Sequence, residues 1–424
     1  MKFDIVTASS PGDRDQTSSL TASPEDFFTQ DLDRDVLSGA LDCAVHSAKD
    51  VPDPVAEGLD WCWLPWRAEP RDALVLRPGV TRVSLPSSPR VGVSSERREA
   101  WCREVFPDGE MLPIRGNIES RLAQLDDGDF DAVIIAAAAL NRLGLKDRIT
   151  EWIPLNELRV PDGQGALAIT FREGDPRFLR IRSLMVNAVT FMGAGVGSAD
   201  LCTAAGIAAL EYCDVCLHDT LMDPALLQHL PAHAVCLDVG KRSGAHAVPQ
   251  EETTRLLLEY ARRGVRVVRL KGGDPCVFGR LAEEVEAQYG LHLPYHVIPG
   301  ISSLSVMGAS AGILMTRRGV SNGFSVMSGR GKGGATSSVG IESRRGLPLV
   351  LFMSLSVLPD LLSQLRDDGV ADDTPAAIVL EAGSPAEEVL RGRVASIADM
   401  LEQVRSQRER PPAGLVVIGE VARF

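Results

Sequence analysis

The sequence predicts an α/β protein of several domains, and three observations carry that prediction. At 424 residues the chain is longer than one hydrophobic core supports, which predicts two to four domains. Its composition, 45% hydrophobic and 24% charged, is that of a globular protein. Short β-branched apolar runs repeatedly end in glycine or polar turns that lead into helical spacing, the signature of strands alternating with helices.

The stretch that organises the rest is Arg269-Leu270-Lys271-Gly272-Gly273-Asp274-Pro275-Cys276-Val277-Phe278-Gly279-Arg280. Before it, Val265 to Leu270 alternates apolar residues with arginines and reads as a strand. After it, Arg280 to Ala287 starts a helix whose carboxylates suit the positive end of a helix dipole. Open α/β sheets bind ligands at the carboxyl ends of their strands, and two adjacent glycines let backbone approach a ligand closely. Asp274 can accept from a ribose or an amine. An isolated Gly-Gly-Asp-Pro would be read as a plain turn, so its surroundings decide.

The net charge of −13 argues against broad binding to nucleic acid or an anionic membrane, yet leaves room for a local basic pocket. Cys213 and Cys216 form a C-x-x-C inside the strand-like run Tyr212 to Leu217. Residues three apart on a strand face opposite ways, so no metal site is expected. Free, mostly buried thiols in a reducing cytoplasm fit the eight scattered cysteines better. No signal peptide opens the chain, and apolar Ala132 to Leu140 is far too short to span a membrane.

In order, Lys2 to Ala8 alternates like a strand, Ser9 to Ser23 reads as a polar loop, and Phe27 to Ala40 has helical spacing. A strand then runs from Leu41 into a turn that presents Ser47, Lys49 and Asp50. Val91-Gly92-Val93 is another strand, ending in Ser94, Ser95, Arg97 and Arg98, and Arg115 and Arg121 follow. Guanidinium groups pair bidentately with carboxylates, so four arginines near strand ends could cradle several of them. Singly, each would be an ordinary solvated arginine.

Together these segments resemble hydroxymethylbilane synthase (porphobilinogen deaminase). The matching blocks are Ala44 to Pro52, Glu69 to Ala73, Ser94 to Arg98, Arg115-Gly116-Asn117, Asp129 to Ile134 with Leu140 to Leu145, and Gly163 to Leu167. The resemblance implies a truncated deaminase module of two periplasmic-binding-protein-like domains, residues 1–65 with 164–186 and residues 66–163. It implies Asp50 as the catalytic carboxylate, with Lys49, Arg97, Arg98, Arg115 and Arg121 around the substrate's acetates and propionates. The family's opening strand and helix are missing, and Ala22 to Phe28 replaces its glycine- and lysine-rich loop. The family's third domain, with the cysteine that carries the dipyrromethane cofactor, has no counterpart before Asn187. Dipyrromethane is therefore not expected, and this half reads as inactive or a structural remnant.

Beyond Asn187, Val189 to Gly197 is a strand running into Gly-x-Gly-x-Gly, a spacing that does not make a nicotinamide site. Ser198 can cap the helix that follows. Val215 to His218 and Val235 to Val239 are further strands, ending in Asp219 and in Gly240-Lys241-Arg242. An acid, a base and an open backbone are thus expected on one rim. A strand-end Asp or Lys is more often simply solvated, so geometry must decide. Gly329 to Gly340 lacks periodicity and reads as a mobile loop.

This second part resembles uroporphyrinogen-III C-methyltransferase, a tetrapyrrole methylase. The blocks are Gly193-Ala194-Gly195, Val239 to Arg242 with Gln250, Arg269 to Arg280, Pro299 to Ser303, Ala311 to Ile313, Thr316 to Gly319, Leu351 to Met353, Thr374 to Ala377, Arg391-Gly392 and Pro412 to Val421. The resemblance implies two α/β domains, residues 187–300 and 301–424, a homodimer, and S-adenosylmethionine in the cleft. The implied cofactor contacts are Val196, Gly272, Gly273, Asp274, Val277, Ser302, Ser303, Met353 and Gly383. Asp219 would be the proton acceptor and Lys241 the donor. Departures from the family are Val196 for proline, His218 for a tyrosine, and arginine for histidine at Arg317 and Arg330. Three functions compete: a uroporphyrinogen III methyltransferase with a degenerate deaminase half, a two-step enzyme completed in trans, and a non-catalytic tetrapyrrole carrier.

Overall fold

The computed structural model describes residues 4–8, 29–240, 249–331, 334–339 and 346–424. The chain divides into two compact units, Met1–Val186 with Arg262–Gly264, and Asn187–Ala261 with Val265–Phe424.

The first unit holds strands β1 (Cys43–Ser47), β2 (Leu59–Arg67), β3 (Asp72–Leu76), β4 (Arg90–Val93), β5 (Glu110–Pro113), β6 (Ala132–Ala136), β7 (Glu151–Trp152) and β8 (Ala166–Arg172). Its helices are α1 (Gln30–Ser38), α2 (Glu96–Val105), α3 (Ile118–Asp126), α4 (Ala137–Arg142) and α5 (Pro176–Met185). One sheet has the order β1-β8-β2 and is antiparallel. The other is mixed, with the order β5-β4-β6-β3-β7. The chain leaves the first sheet after Arg67 and returns to it at Ala166. Every residue of β3 is buried, because helices cover both faces of its sheet. Trp101 and Cys102 of α2 pack on one side with Leu74 and Ile134, and Leu122 and Leu125 of α3 on the other with Val75 and Val133. Helix starts follow the side chains: Ser95 accepts from Arg98 N, Asn117 from Ser120 N, and Asp175 from Arg177 N ahead of Pro176.

One expectation changes here. Residues 4–8 are not a strand; Ile5 and Val6 are exposed, and an alternating run becomes a strand only where a sheet edge accepts it. The apolar run Ala132 to Leu140 is a strand followed at once by a helix, and no described helix is long and apolar enough to cross a membrane.

The second unit opens with a parallel sheet of β9 (Val189–Gly193), β10 (Val215–His218), β11 (Val235–Asp238), β12 (Val267–Lys271) and β13 (Tyr295–Ile298). Its order is β11-β10-β12-β9-β13. Helices α6 (Ala204–Glu211), α7 (Gln250–Arg262), α8 (Leu281–Gly290) and α9 (Ser303–Ser310) accompany it. A second sheet follows, of β14 (Ser325–Ser328), β15 (Leu349–Phe352), β16 (Pro375–Leu380), β17 (Glu388–Arg393) and β18 (Gly414–Ile418), in the order β14-β15-β18-β16-β17. Helices α10 (Leu358–Asp367) and α11 (Ile397–Arg405) complete the unit, and their leucines fill the second sheet's core. Ser198 caps only the 3-10 turn Ala199–Leu201; Thr203 caps α6, accepting from Gly206 N.

Candidate active site

Parallel strands deliver their carboxyl ends to one rim, and in the second unit three of those ends meet through glycine backbone. A Cβ on Gly193, the last residue of β9, would stand 2.4 Å from Gly273 O, and one on Gly300, after β13, 2.1 Å from the same oxygen. Only glycine fits such an approach. Gly195 and Gly273 exchange backbone hydrogen bonds of 3.2 and 2.8 Å, tying the first glycine loop to the Gly272-Gly273 loop. Gly273 has φ of +70°, and a Cβ there would meet only Val196 Cγ1, at 3.7 Å. The position a side chain would take at Gly273 is therefore open space beside Val196.

The second sheet supplies the opposite side. A Cβ on Gly197 would fall 2.3 Å from the carbonyl carbon of Gly383, and one on Gly383 3.3 Å from Val196 O. Phe278, past the glycine loop, lies 5.0 Å ring to ring from Phe352 at the end of β15. Phe278, Arg280, Met353 and Glu381 all adopt positive φ without being glycine. Such strain costs about 1–3 kcal/mol per residue and gathers at ligand clamps. Val196 thus lies beside the side-chain positions of both Gly273 and Gly383, and Val277 and Met353 are next to the Phe278–Phe352 contact in sequence. Several predicted cofactor residues have local work as well. Asp274 Oδ1 accepts from Cys276 N at 2.9 Å, and Ser302 Oγ accepts from Leu304 N, capping α9 at Ser303. Gly383 N donates to Glu387 Oε2.

Asp219 follows β10, the neighbour of β12. Its Oδ1 accepts from Arg269 Nη2 at 2.6 Å, and Arg269 Nε donates to Glu284 Oε1 at 3.2 Å. Glu284 Oε2 takes Lys271 Nζ at 2.7 Å, and Gln250 Nε2 donates to Oε1 at 3.0 Å. The Lys271 ammonium is held below its usual range, by burial first and the Arg269 charge second. Arg269 is raised despite burial, because Glu284 and Asp219 stabilise its charge. The alternation of arginines in this strand therefore does not mark a solvated face: β12 runs Val267–Lys271 and is buried throughout. Nor do the carboxylates of α8 serve its dipole alike. Glu283 pairs outside with Arg280, while Glu284 is fully buried as a counter-ion. Lys241 and Arg242 lie outside the described residues.

In the first unit, Lys49 and Asp50 sit on the 3-10 turn after β1. Arg97 Nη1 and Arg98 Nη2 each donate at 2.6 Å to buried Asp72, which also accepts from Gln164 Nε2 at 3.1 Å. Burial pushes the Asp72 carboxyl up, but Arg98 and Arg97 outweigh it and hold it low. Two of the arginines expected to hold substrate carboxylates are thus already engaged by an internal one. Arg98 and Arg121 share Ser94 Oγ, at 2.9 and 3.2 Å. Arg121 falls to about 10, through burial and then the charges of Arg98 and Arg115. Lys49 is an exposed residue yet crowded by protein, and its pKa is lowered by that desolvation first, with Asp50, Arg98, Asp72 and Arg121 all within its field. Lys49, Arg98, Arg115 and Arg121 therefore form one cationic cluster with Asp50 beside it. Asp72 went unassigned in the sequence; its one signal is a carboxylate opening an otherwise apolar strand.

The stretch around Gly329 lies partly outside the described residues. Within them, Gly331 N donates to Ala335 O and Ser337 N to Gly329 O, a hydrogen-bonded turn. Four of the eight cysteines are buried, two half-buried and two exposed, and no disulfide joins them among the described residues.

Comparison with known proteins adds the following. Residues 1–180 match the family model of porphobilinogen deaminase, dipyromethane cofactor binding domain, and residues 188–398 that of tetrapyrrole (corrin/porphyrin) methylases. The uroporphyrinogen-III C-methyltransferase of Methanocaldococcus jannaschii is 36% identical over 239 residues, 56% of this chain and 97% of that protein. A siroheme synthase of Photobacterium profundum is 32% identical over 359 residues, 81% of this chain and 69% of that protein. The chain spans about half the length of other siroheme synthases it matches, 48% for that of Zymomonas mobilis, 39% identical over 55% of this chain.

Proposed function

We infer the function from one premise: the chain belongs to the tetrapyrrole (corrin/porphyrin) methylase family. It is a methyltransferase that uses S-adenosylmethionine to methylate carbon on uroporphyrinogen III, giving precorrin-2 for the sirohaem and cobalamin branch. The observation that carries this reading is the rim itself. Backbone from Gly193, Gly273 and Gly300 converges one strand away from the Asp219 carboxylate. The residues fit a donor here, since the side-chain position of Gly273 is open space beside Val196, and Val196 O also lies against the side-chain position of Gly383. Those residues, with Gly272, Asp274, Val277, Ser302 and Ser303, would hold S-adenosylmethionine, which supplies an electrophilic methyl when bound.

The chain's own groups do the rest. The cleft would align a pyrrole carbon with the methyl, and alignment is most of what such a transfer needs. Asp219 accepts the ring N–H proton as positive charge develops on the pyrrole. Lys241 returns a proton or holds a substrate carboxylate. The enzyme works as a homodimer through this unit, in the cytoplasm. The deaminase-like unit lacks activity of its own; completion in trans and a carrier role are the alternatives.

The deciding experiment incubates the purified chain with uroporphyrinogen III and methyl-labelled S-adenosylmethionine. Label in a di-methylated tetrapyrrole is the expected result. Tight binding of uroporphyrinogen without label transfer would favour the carrier instead.

A further inference from the structure

Burying charge in a sheet is costly, and replacing a buried ion cluster with packed apolar side chains is often neutral or stabilising. The sheet offers that alternative next door, since β9 runs Val-Thr-Phe-Met-Gly, buried throughout, with no charge. Yet β12 carries Arg269 and Lys271, with side chains 4% and 3% exposed, around Glu284 at 0%. One member reaches the surface: Asp219, 30% exposed at the rim. Arg269 cannot swing away, because its Nη1 also donates to Leu270 O at 3.1 Å and Leu217 O at 3.5 Å. The guanidinium is pinned by backbone on one side and Glu284 on the other, leaving Nη2 aimed at Asp219 Oδ1. The second carboxylate oxygen has no partner among the described residues.

We propose that Arg269, Glu284 and Lys271 are positioning residues for the methyl-transfer site: Glu284 and Lys271 lock Arg269, and Arg269 presents Asp219 with one oxygen held and the other free for the substrate's proton. This rests on the reading of Asp219 as the proton acceptor. Among the described residues, the charged and titratable groups around Asp219 are Arg269 and Lys271 from β12, Glu284 from α8, His218 beside it and Asp238 at the end of β11. A nearby cation favours the ionised carboxylate and a nearby anion opposes it. The pH dependence of the rate therefore reads out whether the cluster acts on the carboxylate at the rim.

The test is the pH–rate profile of the full chain for wild type, Asp219→Asn, Arg269→Lys and Glu284→Gln, with S-adenosylhomocysteine affinity and melting temperature on the same preparations. Arg269→Lys keeps a cation but shortens its reach, so kcat falls and the acid limb moves up by about one pH unit. Glu284→Gln keeps shape while removing an anion, so the limb moves the opposite way, down. Neither variant changes S-adenosylhomocysteine affinity. A structural role alone would lower melting temperature without moving the limbs in opposite directions, so wild-type limbs in either folded variant overturn the proposal. An active Asp219→Asn protein instead overturns the reading of Asp219 as acceptor, which keeps the two failures apart.

Discussion

At Asp219 two roles share one carboxylate: it closes an ion pair with Arg269 and faces the rim. Asp219→Asn separates them, since the amide keeps shape and most hydrogen bonding but cannot take a proton. Turnover is expected to fall by about two to four orders of magnitude, the usual span for a general base. Calorimetry with S-adenosylhomocysteine should give wild-type affinity, because in the proposed reading the glycine loop and Met353, not Asp219, hold the donor. If Asp219 only closed a turn, melting temperature would drop while the rate per folded molecule stayed near wild type. His46 offers a second test, in the first unit. It is buried, bonds Thr170 Oγ1 through Nε2 at 3.0 Å, and burial lowers its pKa from 6.5 to about 4. The unfolded chain therefore binds the proton more readily. The stability this contributes is fully present above pH 6.5 and is lost as pH falls towards about 4, by about 3 kcal/mol at most. His46→Gln should flatten that slope in melting temperature between the two pH values. A slope equal to wild type would show that other groups set it.

At the scale of elements, the site is a junction of strand ends, and its tolerance differs sharply between neighbouring glycines. At Gly300 a Cβ would meet Gly273 O at 2.1 Å, so Gly300→Ala must push β12 and β13 apart. A cost of about 1–3 kcal/mol is expected, read as a melting temperature several degrees lower. At Gly273 a Cβ meets only Val196, and Gly273→Val acts by entering the donor's space and by its φ of +70°. S-adenosylhomocysteine affinity should fall ten-fold or more, roughly 1.4 kcal/mol. Unchanged affinity in a folded Gly273→Val protein would remove the donor from this rim. These junctions were legible in the sequence because a strand end followed by paired glycines is a local pattern. The ion cluster behind them was not. Arg269 and Lys271 sit two apart on β12, which the sequence states, but their counter-ion is Glu284, on the helix beyond the glycine loop. Glu283 and Glu284 are equivalent by local pattern, and only helix packing decides which turns inward. Asp72 was hidden likewise, its partners Arg97, Arg98 and Gln164 being 25 to 92 residues away. Ser198 caps the short 3-10 helix directly after it, while the α-helix beyond takes its cap from Thr203, because both hydroxyls precede helix starts.

For the whole molecule, the question is whether the first unit can run a deaminase's chemistry, and its thiols answer in physical terms. A covalent dipyrromethane primer needs a thiolate to bond it. The first unit offers three cysteines. Cys62 and Cys102 are fully buried and pushed up to about 12, desolvation being the largest cause in each. Cys43 is half-buried and also raised, by burial first and Asp42 second. After α5 the chain reaches β9 within a few residues, and the next thiol, Cys202, packs in the second unit's core with its own pKa raised by burial. Each of these thiols has its pKa raised and none lowered. Porphobilinogen should therefore be neither consumed nor bonded to the protein. Intact-mass spectrometry after incubation should return the mass of the bare chain, and loss of porphobilinogen should match a protein-free control. An added mass of two pyrrole units would show that one of these thiols is activated, and trypsin mapping would locate it. The cationic cluster of Lys49, Arg98, Arg115 and Arg121 gives the same experiment a second reading. If the unit still holds carboxylates non-covalently, uroporphyrinogen III should lower its accessibility to proteolysis while the intact mass stays unchanged, and Arg121→Met should abolish that protection without altering methyl transfer.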